Sequence, residues 1–89
     1  MSGYKRGGSG RALTNERKYP FIVELAVTGE ELELALSRQI IVFHKGRHIQ
    51  TRHGRTILRN GETHYRWCFS DIATARAFAE QFGGAFYKP

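Results

Sequence analysis

Cysteine occurs once in these 89 residues, at Cys68. A lone thiol cannot close an intrachain disulfide or furnish a multi-cysteine zinc module, so a reducing, cytoplasmic setting is expected. No apolar run approaches the roughly 20 residues that a helix needs to cross a bilayer, which argues against a membrane partner. Lys5 and Arg6 are not followed by an apolar stretch, so no secretory leader is expected. CxxC, HxH and HExxH spacings are missing, and GRHIQTRHGR has neither the Walker spacing nor the dinucleotide fingerprint. Acidic residues are also scarce, eight against fourteen Lys and Arg.

The cations that remain are unevenly placed. Residues 1–18 hold Lys5, Arg6, Arg11, Arg17 and Lys18 against Glu16 alone. Residues 44–66 hold six Lys and Arg against Glu62, together with all four histidines. The rest of the chain is mildly acidic. Basic blocks on an acidic scaffold suggest a polyanion partner. An Arg-rich outer sheet face can equally serve solubility and edge protection.

The clearest structural signal is Asn60-Gly61, the pair that best tolerates the two positive φ angles of a type I′ hairpin turn. Counting outward pairs Arg59 with Glu62, Leu58 with Thr63, Thr56 with Tyr65 and Gly54 with Trp67. The second strand, Glu62 to Phe69, then alternates Tyr65, Trp67 and Phe69 with His64, Arg66 and Cys68. Burying the aromatics is favourable, whereas burying unpaired Arg66 and His64 would cost several kcal/mol. The aromatic face is therefore expected inside and the Arg/His face outside.

Residues 1–18 are Gly/Ser-rich, basic and poor in apolar side chains, which predicts a disordered basic arm ahead of one domain over 19–89. Pro20 to Val27 reads as a strand, with Phe21, Val23, Leu25 and Val27 inward and Glu24 on a solvated side. Thr28 and Glu31 form a capping box for a helix over about 29–45, its stripe being Leu32, Ala35, Leu36, Gln39, Ile40 and Phe43, with Gly46 as the stop. The β-branched run at 40–43 leaves a strand as the alternative there. Arg47 to Arg59 is a strand with a possible bulge near Gly54. Ser70 caps a second helix that carries Asp71 at its first position and buries Ile72, Ala75, Phe78, Ala79 and Phe82, and Ala85 to Lys88 closes the sheet. The order β-α-β-β-α-β implies a ferredoxin-like α+β fold, a four-stranded antiparallel sheet with two helices on one face and the other face open.

PFIVEL at 20–25 and RWCFSDIATARAFAEQFGG at 66–84 together resemble a group of short, uncharacterised bacterial proteins, with the likeness spanning Tyr19 to Phe86. The resemblance implies no activity, cofactor or site residue.

Chemistry is sparse. His44 and His48 have i, i+4 spacing, but Gly46 lies between them. His53, His64 and Cys68 share the expected open face without a metal motif, so no metal or other cofactor is expected. Cys68 opposite His53 could form a nucleophile pair, yet nothing orients the base, and the chain reads as non-enzymatic. The expectation is nucleic-acid binding, RNA or DNA, through phosphates. Arg47, Arg52, His53, Arg55, His64 and Arg66 would act from the open sheet face, with Lys5, Arg6 and Arg11 on the arm. The rival is self-association or a protein partner, through an apolar patch of Ile22, Ile41, Ile57 and Cys68.

Overall fold

Asn60 and Gly61 take φ of 50° and 80°, the two positive angles of a type I′ turn, and the hairpin folds about them. A computed structural model describes residues 6–27 and 30–87. Along these run α1 (Arg6–Lys18), β1 (Phe21–Ala26), α2 (Glu30–Gly46), β2 (Ile57–Arg59), β3 (Glu62–Phe69), α3 (Ile72–Phe82) and β4 (Ala85–Tyr87). The sheet is antiparallel, in the order β2-β3-β1-β4, so β1 and β3 are central as their apolar content predicts. Over the described residues the fold is thus α+β, with four strands and three helices.

Side-chain alternation decides what each face buries. Val23, Leu25, Trp67 and Phe69 point to one face and meet Ile40 and Phe43 of α2 and Ala75, Phe78 and Ala79 of α3. Phe78 is fully buried at the centre, its ring 5.1 Å from Phe69 and 4.8 Å from Phe82. Each such side chain contributes about 1.5–3 kcal/mol on burial. The aromatics of β3 therefore point inward, as their alternation with Arg66 and His64 requires.

Residues 40–43 are helical, so the longer of the two expected helices forms. Its buried face is Leu36, Ile40, Phe43 and His44, while Ala35 and Gln39 are exposed. Thr28, the expected cap, lies outside the described residues. Gly46 is the last helical residue rather than the left-handed stop. His48 takes that role at φ 56°, with its N–H donating to Lys45 O and the Ile49 N–H to His44 O, a Schellman closure. Ile49 then packs, partly buried, against the core. His44 itself is buried, stacked on Phe69 at 5.6 Å. Burial lowers its pKa and keeps the ring neutral, so Nδ1–H donates to Ile40 O at 2.8 Å.

α3 is capped by Asp71 rather than Ser70. The Asp71 carboxylate accepts from the Thr74 N–H at 2.9 Å, and Gly83 closes the other end at φ 77°. Ile72, expected in the buried stripe, is exposed because a helix starting at Ile72 turns its first residue away from the sheet.

Two departures matter most. The expected disordered arm is, over residues 6–18, the helix α1, and it covers the sheet face expected to stand open. The β2–β3 register also slips. Ile57 pairs with His64 as counted, but His53 rather than Gly54 stands opposite Trp67. One extra residue between His53 and Ile57 forms a bulge, and a one-residue slip exchanges faces. His53 turns to the helix side, 5.8 Å from the Trp67 ring. Gly54 turns to α1, where a Cβ would sit 2.7 Å from Glu16 Oε2 and 3.0 Å from the Arg66 Cβ.

Candidate functional site

The second sheet face is built around charge. Glu24 and Arg66 are directly opposed on β1 and β3, and Arg66 Nε donates to Glu24 Oε1 at 3.0 Å. Its Nη1 donates to Glu16 Oε2 of α1 at 3.3 Å, and its guanidinium lies 3.6 Å from the centre of the Tyr87 ring. Arg59 reaches Glu24 at 2.9 Å, and His64 Nδ1 lies 3.0 Å from the same carboxylate. Glu16 also takes the Arg55 backbone N–H at 2.6 Å and the Arg55 Nη2 at 3.0 Å. The Arg66 side chain is only 2% exposed and that of Glu16 only 8%. A buried guanidinium is stable only with such partners.

These pairings fix the carboxylates. Burial alone would raise the Glu16 carboxyl, but hydrogen bonds from Arg55, then those and the charge of Arg66, hold it below the usual range. Glu24 is lowered against its own burial by Arg59 and Arg66. Glu24 therefore does not mark a solvated side. Ile22 and Cys68 are buried on this same face, so neither contributes to a surface patch. Burial, then the nearby Glu16 charge, pushes the Cys68 thiol up to about 12, far from a nucleophile. Because the bulge places His53 on the opposite side of the sheet, the Cys68–His53 pair is not formed.

The residues expected to bind nucleic acid thus separate into groups. Arg66 and His64 belong to the covered network and do not face solvent as a cationic sheet. Arg47 stands apart at the end of α2, over the Phe43 ring at 4.0 Å. Lys5 lies outside the described residues, and Arg6 begins α1. Arg11 and Arg55 do come together, lining a groove of about 610 Å³ between α1 and residues 51–57, which His53 borders while its ring lies against Trp67 on the other side of the sheet. Arg52 is beside it, its guanidinium 4.1 Å from the centre of the Tyr19 ring that follows α1.

Asn15, Thr51 and Thr56 also line this groove, and none was legible as a site residue in the sequence. Asn15 fixes its width by donating from Nδ2 to His53 O at 2.8 Å. A helical reading of 6–18 supplies the missing signal, since Arg11, Asn15 and Lys18 then share one face. Arg55 is 45% exposed on its side chain despite its bond to Glu16. Among the described residues, Arg11, Arg17, Lys18 and Arg52 make no ion pair. No three His, Cys, Asp or Glu among the described residues form a group suited to a metal ion. No described helix is long and apolar enough to cross a membrane.

No protein-family model matches the chain, and no curated protein or solved structure does either.

Proposed function

We propose that this chain is a small, non-enzymatic, bacterial cytoplasmic domain that binds nucleic acid through its phosphates along the groove between α1 and residues 51–57. The carrying observation is that Glu16 and Glu24 neutralise the sheet-face cations, while Arg11 lines the groove without an ion pair, Arg52 beside it has none, and Arg55 at the groove stays half exposed. Cations without carboxylate partners are the ones free to displace counterions from a phosphate chain. Trp67 and Phe69 are buried, so base stacking on the sheet has no platform, and RNA and DNA are contacted by backbone alone. The frame behind the groove is ferredoxin-like. The β-α-β-β-α-β order after α1 and the β2-β3-β1-β4 arrangement support this, with α1 as an addition.

The test is oligonucleotide anisotropy with single- and double-stranded probes for wild type and Arg11→Glu/Lys18→Glu. Both positions are exposed, so the fold is retained. Affinity should fall at least about tenfold at about 0.05 M salt, and the salt slope should decrease by about two. Equal affinity in the variant would end this reading.

A second reading rests on the outer face of α2, where Leu34, Ile41 and Val42 are 64%, 48% and 69% exposed. Three exposed aliphatics spread over little more than two turns suit a protein partner or a second copy. Oligonucleotide silence combined with a dimer in sedimentation, lost in Leu34→Lys/Val42→Lys, would favour it.

A further inference from the structure

The groove between α1 and residues 51–57 is closed along its base. Asn15 Nδ2 donates to His53 O at 2.8 Å, and the Arg55 backbone N–H donates to Glu16 Oε2 at 2.6 Å. The two walls are thus tied within a hydrogen bond of each other. Gly54 permits the approach, since a Cβ there would lie 2.7 Å from Glu16 Oε2.

The lining above these ties is mixed in a definite way. Arg11 comes from α1 and Arg55 from the opposite wall, so cations stand on both sides. Ala12, Ile57, Thr51 and Thr56 line it without charge, and no carboxylate among the described residues does. Gly7 and Gly8, one helical turn before Arg11, bring no side chain to that side of α1. A double helix carries its phosphates on a convex surface far wider than a cleft closed at its base. It would rest on the lips and leave Ala12 and Ile57 against water. One unpaired strand can enter, with phosphates at Arg11 and Arg55, the apolar faces of its sugars on Ala12 and Ile57, and the Thr51 and Thr56 hydroxyls donating to remaining oxygens.

We infer that the groove selects an unpaired nucleic-acid strand over a duplex and grips its sugar–phosphate chain without reading bases. The inference rests on the phosphate-binding reading and narrows it to single strands. Charge alone argues the other way, because a duplex releases about 0.9 counterion per neutralised phosphate and a single strand about 0.7. A preference for the single strand is therefore a property of the groove's shape.

The experiment is fluorescence anisotropy of the full chain with three probes of about 12 nucleotides or base pairs. They are oligothymidylate, a duplex, and an abasic strand with the same phosphates as oligothymidylate. At about 0.1 M salt, oligothymidylate should bind at least about tenfold tighter than the duplex, and the abasic strand within about threefold of oligothymidylate. Arg11→Gln, at an exposed helical position, should weaken the single strand at least about threefold and the duplex less, with the melting temperature kept. Equal or tighter binding of the duplex would overturn the single-strand inference while leaving phosphate recognition standing, with the contact moved to the outer side of α1. Loss of binding by the abasic strand would overturn the grip on the sugar–phosphate chain. Unchanged single-strand affinity in Arg11→Gln would overturn the groove as the place. If neither strand nor duplex binds, the phosphate-binding reading itself fails, and this inference with it.

Discussion

Glu16 is the one carboxylate among the first eighteen residues, and it serves two arginines and a backbone N–H at once. Arg66 has lost nearly all contact with water, so its charge depends on Glu16 and Glu24 for compensation. Glu16→Gln keeps the shape but leaves that guanidinium under-compensated, at a cost of about 2–3 kcal/mol. The pH dependence has a definite sign. The folded-state pKa of Glu16 lies below its unfolded value, so the folded protein resists its protonation. That stability is fully present above the ordinary carboxylate range and is lost as pH falls through the depressed folded value. Urea unfolding at about pH 6 and about pH 3 should therefore show a smaller difference for Glu16→Gln than for wild type, with Glu24 and Asp71, both also held low, supplying residual dependence. Equal differences in the two proteins would mean that Glu16 is not ionised in the network.

α1 is a poor helix by composition. Gly7, Gly8 and Gly10 each cost about 1 kcal/mol relative to alanine, and thirteen residues are marginal for an isolated helix in water. Docking of Asn15 on the His53 carbonyl and of Glu16 on Arg55 and Arg66 is what stabilises it. Removing residues 1–18 should lower the melting temperature by about 10 °C or more, since it strips a partner from Arg66 and uncovers a buried face. A change below about 2 °C, read by calorimetry, would show that α1 contributes nothing to the fold. Local composition could not reveal this element, because its stability comes from one carboxylate meeting residues 39 and 50 positions away. By contrast, the Asn60-Gly61 turn, the inward aromatics of β3 and the long α2 were legible, since turn chemistry and periodicity are local signals. The bulge at 53–56 falls between these cases. Gly54 hinted at it, but the slip that sends His53 and Gly54 to opposite faces depends on α1 crowding one side. The expected cationic face relied on the sheet standing open, and the covering by α1, which sequence periodicity does not report, is why Arg66 and His64 are withdrawn from it.

At the scale of the whole molecule, the same excess of positive charge does two separate things. Part of it is held by carboxylates, with Arg66 buried against Glu16 and Glu24 and the half-exposed Arg55 and Arg59 reaching the same two groups. Part is external, around the groove and along the exposed side of α1. Salt distinguishes the two, because mobile ions screen exposed charges over about 8–10 Å at physiological strength but reach a covered ion pair far less. Raising sodium chloride from about 0.05 M to about 0.5 M should therefore weaken oligonucleotide binding by about a hundredfold or more, while the melting temperature shifts by no more than about 3 °C. A steep loss of stability with salt would show that the Glu16–Arg66–Glu24 network is open to solvent. In that case α1 would not seal the sheet face, and the cations of β3 would again be available to phosphate. Insensitive binding would instead separate the excess charge from recognition and turn attention to Leu34, Ile41 and Val42 on α2.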